Sequence, residues 1–236
     1  MDELGTILGV WAHPDDETYL SAGLMARAVR DGSRVVCVTA TRGEGGSMDD
    51  ERWPPEKMGA VRTAELERSM QILGVSEHHW LDLPDIDMET GLPEEGYARV
   101  RDLVDEVQPD TVLSFGPEGM TGHEAHKSVS RWATEALREA GKPGSRVLYA
   151  CVTPEWAKEF LPIWEPFNVF LPGTPHQVPR DELAIYYELP PDILETKVNA
   201  INAHVSQIES ILEAVGDQVW WRQMSFEGFR PGGEHA

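Results

Sequence analysis

An α/β fold, a Rossmann-like three-layer sandwich on a mainly parallel sheet, is what the sequence predicts, on three observations. Short apolar runs alternate with amphipathic stretches of helical length along the 236 residues, the pattern of strands joined by covering helices. Polar blocks carrying histidine and acidic residues directly follow two of the apolar runs, at the strand edge where open α/β sheets bind ligands. The Gly-x-Gly-x-x-Gly turn of dinucleotide-binding folds is missing, which argues against a nucleotide-binding oxidoreductase. The chain reads as a single domain over 1–236, with residues 153–236 forming a C-terminal covering segment, a strand and a long helix.

The first strand is Thr6 to Trp11, followed by Ala12-His13-Pro14-Asp15-Asp16-Glu17 and a helix from Thr18 to Arg30. His13 and Asp16 lie three apart across a tight turn, so both can converge on one point. An imidazole with a carboxylate suits a zinc-like ion, and Asp15 and Glu17 are spare carboxylates beside it. The plainer reading is that Asp15 or Asp16 caps the helix. A cap needs one acidic residue and leaves the rest of the block unexplained.

A second strand, Arg34 to Ala40, runs into the glycine-rich loop Thr41 to Ser47. That loop lacks the Lys-Ser/Thr ending of a phosphate loop. Glu56 to Leu73 is a helix ended by Gly74. On it Arg62 and Glu65, three apart, are either an exposed ion pair or substrate-facing. His78 to Leu83 is a weaker third strand whose neighbouring histidines point to opposite sides. Pro84-Asp85 follows, then a helix over 95–107 and a fourth strand, Thr111 to Phe115.

The second polar block, Gly116 to His126, sits at the end of that strand and opens a helix reaching about Ala140. His123 and His126 are three apart, hence on one helix face, which raises the odds of a metal or catalytic site. Val147 to Val152 is a fifth strand. Residues 153–181, with six prolines among aromatics, read as an irregular covering segment free of long helices. That segment is expected to shape specificity. Leu183 to Leu189 is a strand, and Asp192 to Val215 one long helix. Trp220 and Trp221 head a tail of exposed-looking aromatics, expected to pack on the domain or on another subunit, which leaves a homo-oligomer open.

Asp and Glu number 41 against 20 Lys and Arg, a formal charge of -21. So acidic a chain repels phosphate backbones and anionic lipid, so neither nucleic acid nor membrane is an expected partner. Cys37 and Cys151 lie in apolar runs and read as buried thiols. No basic-then-apolar leader and no apolar run near the roughly 18 residues of a membrane span is visible, so a cytoplasmic location is expected.

The chain resembles the LmbE-like (PIG-L) family of zinc-dependent N-deacetylases. The resemblance rests on Ala12-His13-Pro14-Asp15-Asp16-Glu17, Thr41-Arg42-Gly43-Glu44-Gly45-Gly46, Arg62-x-x-Glu65, Pro84-Asp85, Gly122-His123-x-x-His126 and Lys197-x-x-Ala200-x-x-x-His204-x-Ser206-Gln207. The first and fifth pieces are specific as a pair. The resemblance implies that His13, Asp16 and His126 bind the metal, zinc or else ferrous iron. It implies Asp15 as general base, His123 as general acid and oxyanion partner, and Arg62 and Asp85 as substrate contacts. It gives His204 no role. The implied substrate is an N-acetylglucosamine-like compound. An amidase cleaving a larger acyl group from a sugar-thiol conjugate, and a weakly catalytic metal- or sugar-binding module, are the competing readings. One departure stands out. The family's usual block is Gly-His-x-Asp-His, and here the carboxylate position is Ala125; Glu118 and Glu44 are candidates to replace it.

Overall fold

The computed structural model describes residues 4–85 and 91–233. Strands β1 (Ile7–Trp11), β2 (Val35–Thr41), β3 (Glu77–Leu83), β4 (Thr111–Phe115) and β5 (Arg146–Cys151) alternate with helices α1 (Asp16–Arg30), α2 (Pro55–Leu73), α3 (Glu95–Val107) and α4 (Glu124–Ala140). Every residue of β1, β2 and β4 is buried. Such strands carry helices on both faces, and so they read as continuous apolar runs.

After β5 come α5 (Pro154–Trp164), β6 (Ile185–Glu188), α6 (Pro191–Ile201), α7 (Val205–Val215), α8 (Asp217–Met224) and β7 (Phe226–Pro231). The described residues form one seven-stranded sheet, in the order β3-β2-β1-β4-β5-β7-β6. Strands β1 to β5 pair in parallel, with Leu8 opposite both Val36 and Val112. Strand β7 is antiparallel to β5 and β6, with Phe229 opposite Ala150 and Ile185. The expected Rossmann-like sandwich is therefore present, with an antiparallel edge. The strand order turns back at β1, between β2 and β4. That is the switch point where open α/β sheets leave a crevice at the strands' carboxyl ends.

Three expectations for the C-terminal third need correction. Residues 153–181 are not free of regular structure: they contain α5. Thr153 caps it, its side chain accepting from the Trp156 N–H at 3.2 Å. Pro154 stands at the first helical position, where a missing N–H costs nothing, so a proline marks the start of this helix.

The single helix over 192–215 is two helices, broken at Asn202 to His204. Glu65 explains how the break is tolerated. Its carboxylate accepts from both the backbone N–H and the hydroxyl of Ser206, each at 2.7 Å. That satisfies donors left bare at the start of α7. The expected tail is α8 followed by β7, up to Gly233, with its last three residues outside the described ones. Trp220 is fully buried, its indole donating to Asn202 Oδ1 at 3.1 Å, while Trp221 is exposed as expected.

These elements build a second core of Phe160, Trp164, Val198, Ile201, Ile208, Ile211, Trp220 and Met224 beside the main one on the sheet. One buried ion pair ties the two cores together. Lys197 Nζ donates to Glu227 Oε1 at 2.7 Å and to the Tyr19 carbonyl at 2.8 Å. Glu227 also accepts from the Gly23 and Leu24 N–H groups, at 2.7 and 2.8 Å. A charge taken out of water needs such complete pairing. Both cysteines are buried free thiols, as expected.

Candidate metal and active site

The first block folds back on itself at the end of β1. Asp16 Oδ2 accepts from the backbone N–H groups of Ala12 and His13, at 3.2 and 2.7 Å. Neither Asp15 nor Asp16 caps α1: the residue before the helix, Asp15, makes no side-chain capping bond. That turn aims Asp16 Oδ1 at His126 Nε2, 3.5 Å away, while His13 Nδ1 lies 3.7 Å from Asp16 Oδ2. His126 reaches in from the first turn of α4, its ring stacked 4.1 Å from Phe115 at 8°. Donor atoms of His13, Asp16 and His126 all lie within 4.8 Å of one another, and the three residues are buried.

The tautomers decide what this cluster can hold. His126 Nδ1 donates to the Gly119 carbonyl at 2.9 Å, so its Nε2 carries the lone pair. His13 Nε2 donates to Asp85 Oδ1 at 3.3 Å, so the neutral ring carries its lone pair on Nδ1. Those two nitrogens face each other at 3.1 Å. Two lone pairs cannot sit there unbridged, so a cation, either a proton or a metal ion, has to lie between them. With the Asp16 carboxylate alongside, two imidazoles and one carboxylate make a three-ligand set that leaves positions open on a tetrahedral ion. The partners on the far nitrogens hold each ring in place, as metal-binding histidines require. The donor set thus fits a divalent metal. Burial opposes ionisation of Asp85, but the His13 hydrogen bond and charge outweigh it and hold the carboxyl at about 2.

Asp15 stands next to this cluster without joining it. Its backbone is left-handed, φ 119° and ψ -28°, a conformation that costs energy for any residue but glycine. Besides the Thr18 and Tyr19 N–H groups that its carbonyl accepts from, two side-chain contacts hold it. The Asp15 N–H donates to Glu17 Oε2 at 3.2 Å, and Arg62 Nη2 donates to Asp15 Oδ2 at 3.1 Å. Burial raises the carboxyls of both Asp15 and Asp16, against the pull of Arg62 on the first and of His13 on the second.

Arg62 and Glu65 are both buried, so they are not an exposed pair. Arg62 also donates to the carbonyls of Pro14 and Gly43, at 2.6 and 3.2 Å. The glycines of the 41–47 loop make room for it: a Cβ on Gly43 or Gly46 would lie 2.4 or 2.5 Å from Arg62 Nη1. Asp85 and Arg62 line the cavity beside the cluster, and both are also tied to its residues.

His123 caps α4. Its Nδ1 accepts from the Ala125 N–H at 3.2 Å, so the neutral ring carries its proton on Nε2. Its ring centroid lies 4.8 Å from that of His13 and 5.1 Å from that of His126. A backbone N–H therefore orients the imidazole here. Glu118 bonds Arg230 at 3.0 Å, and Glu44 accepts from the Asp85 N–H at 3.2 Å.

Sequence reasoning missed one pairing and one wall. His204 and Glu17 are fully buried partners, with His204 Nε2 3.5 Å from Glu17 Oε1 and 3.3 Å from Thr18 Oγ1. No spacing links residues 17 and 204; only the break before α7 brings them together. The apolar wall of the cavity was missed as well. The cavity measures about 450 Å³ and joins the histidine cluster to Trp156, Trp164, Val169 and Phe170 from the segment after β5.

The GlcNAc-PI de-N-acetylase (PIG-L) family matches residues 8–137. A 1D-myo-inositol 2-acetamido-2-deoxy-alpha-D-glucopyranoside deacetylase of Kineococcus radiotolerans is 34% identical over 68% of this chain. The match spans 52% of that relative, about half its length. A protein of the same description from Saccharomonospora viridis is 30% identical, over 86% of this chain and 85% of its own. In solved structures the same fold appears in N,N'-diacetylchitobiose deacetylase of Pyrococcus horikoshii, with TM-score 0.72 and 21% identity over 96% of this chain and 83% of that one. It appears also in the 4-carboxy-2-hydroxymuconate hydratase of Pseudomonas putida, with TM-score 0.67 and 19% identity over 98% of each. A fold that carries both a deacetylase and a hydratase does not by itself fix a reaction.

Proposed function

The chain belongs to the PIG-L (GlcNAc-PI de-N-acetylase) family, and from that premise we propose that it is a metal-dependent N-deacetylase of N-acetylglucosamine-containing compounds, residues 1–236 acting as one domain. The observation that carries the reading is the pair of imidazole nitrogens facing each other at 3.1 Å beside the Asp16 carboxylate. In this reading His13, Asp16 and His126 hold zinc, with ferrous iron as the other candidate. When bound, the ion would acidify water and polarise the amide carbonyl.

The chain's own residues then have distinct tasks. Asp85 and the Gly119 carbonyl fix the tautomers of the two ligand histidines. Asp15 takes a proton from the attacking water, its carboxylate aimed by Arg62 and its backbone held by Glu17. A buried carboxyl raised above its ordinary range is a better base near neutral pH than an exposed one. His123, with its proton on Nε2, donates toward the oxygen that gains negative charge. The amide C–N bond breaks, the departing nitrogen gains a proton, and the products are acetate and a free amine. Arg62 and Asp85, on the cavity wall, also face the sugar.

Metal analysis tests the ligand set. Purified chain should carry one divalent ion, and His13→Ala and His126→Ala should lose both the ion and acetate release. Full occupancy in both variants would remove the assignment.

A further inference from the structure

The cavity that holds the histidine cluster is chemically lopsided. Its charged side chains gather at one end and are already engaged: His13, Asp15, Asp16, Arg62, Asp85 and His126 bond one another or nearby backbone, while Thr121, Asn168, Gln207 and Gln223 are neutral polar groups also in the lining. The rest of the wall is largely apolar, and includes Trp156, Trp164, Val169, Phe170, Ile211 and Met224. Phe170 sits 6.4 Å from the rings of both Trp156 and Trp164. Tyr19 joins the two ends: it lies one helical turn from Asp15, and its ring is 6.2 Å from Trp164. Met48, one of the few large apolar side chains exposed among the described residues, is part of the same wall.

The apolar stretch of this wall disfavours a polyol. Each hydroxyl buried against it loses water and gains no partner. Away from the charged end, two fully buried polar atoms of the lining are without partners, the Trp164 indole N–H and Gln223 Oε1, and Thr121, Asn168 and Gln207 add a few polar groups, whereas the six-residue apolar stretch offers almost none. Aromatic rings can stack on a sugar, but Val169, Ile211 and Met224 offer only apolar contact. At about 450 Å³ the space is also larger than an acetyl group needs, and falls in the usual range of small-ligand sites, about 300–1,000 Å³.

We propose that the substrate is an amino sugar bearing an alkyl or aryl group, which packs against the wall formed by Trp156, Trp164, Val169, Phe170, Ile211 and Met224. The proposal rests on the deacetylase reading above and names its substrate class. Two positions on the sugar could carry that group, the aglycone or the N-acyl chain.

Two substrate series separate them, each given to the metal-loaded protein. One is N-acetyl-β-glucosaminides with methyl, butyl, hexyl and phenyl aglycones. The other is methyl glucosaminide carrying acetyl, butanoyl or hexanoyl on nitrogen. In one series kcat/KM should rise by about tenfold or more from the smallest to the largest group, since even single methylenes are worth that much in a fitted apolar pocket. The series that rises identifies the position. Phe170→Gln should pull that ratio back toward one, which a loss of fold or of metal would not do selectively. Flat or falling kcat/KM in both series, with acetate still released, overturns the proposal and leaves the deacetylase reading standing.

If no compound is hydrolysed, the deacetylase reading fails. The cavity is then judged from tryptophan fluorescence on titration with methyl and hexyl glucosaminide. Tenfold tighter binding of the hexyl compound supports the apolar site, and equal binding overturns it.

Discussion

Asp15 carries the sharpest residue-scale claim, because it is adjacent to Asp16, a proposed metal ligand, and yet outside the proposed ligand set. Asp15→Asn should keep the metal and lose about a hundred- to ten-thousandfold in rate. Near-normal turnover in a metal-loaded variant would exclude it as the base. His78 supports a different test, of stability. Burial pushes its imidazole down to about 4 from 6.5, with the ring held 2.9 Å from Thr39 Oγ1. Between those values the unfolded chain binds the proton and the folded chain does not, so stability present above pH 6.5 is lost as pH falls toward 4. Denaturation at pH 7 and pH 5 should show the native protein losing about 1–2 kcal/mol more than His78→Gln does. Equal losses would mean that His78 titrates normally. The residues that meet at the site were legible in the sequence because His13 and Asp16 follow the end of β1 closely, and His123 and His126 share the polar block that opens α4. The tautomers were not, since they depend on Asp85 and the Gly119 carbonyl, whose placement needs the folded loops.

Elements were legible where one periodicity dominates. The buried strands β1, β2 and β4 and the helices between them follow from apolar runs and helical spacing alone. The C-terminal third was not, because its elements are set by distant partners. The break between α6 and α7 has neither proline nor glycine, and depends on the Glu65 carboxylate of α2 bonding Ser206. Strand β7 reaches the sheet from the end of the chain, between β5 and β6, which no local pattern announces. The Lys197–Glu227 pair is what joins α1, α6 and β7. Lys197→Met leaves the Glu227 charge buried with only two backbone donors, and should cost about 3–5 kcal/mol in urea denaturation. A loss under about 1 kcal/mol, the scale of an exposed pair, would show that the contact adds little to stability.

The whole molecule is organised by a switch point. Because β1 lies between β2 and β4, the segments after β1, β2 and β4 converge, and they bring His13, Asp16, His126, Arg62's cradle and His123 to one crevice. The C-terminal third then closes that crevice with apolar side chains and sets what else fits. The net charge of -21 disfavours anionic partners. The central claim, metal-dependent deacetylation, is tested most directly by measuring acetate and primary amine together, from a panel of N-acetylglucosamine compounds, with metal-loaded, chelator-treated and zinc-restored protein. The account predicts acetate and amine in equal amounts, abolished by the chelator and recovered with zinc. A chain that carries one metal ion and releases acetate from no member of the panel, or releases it equally well after the metal is removed, would contradict it.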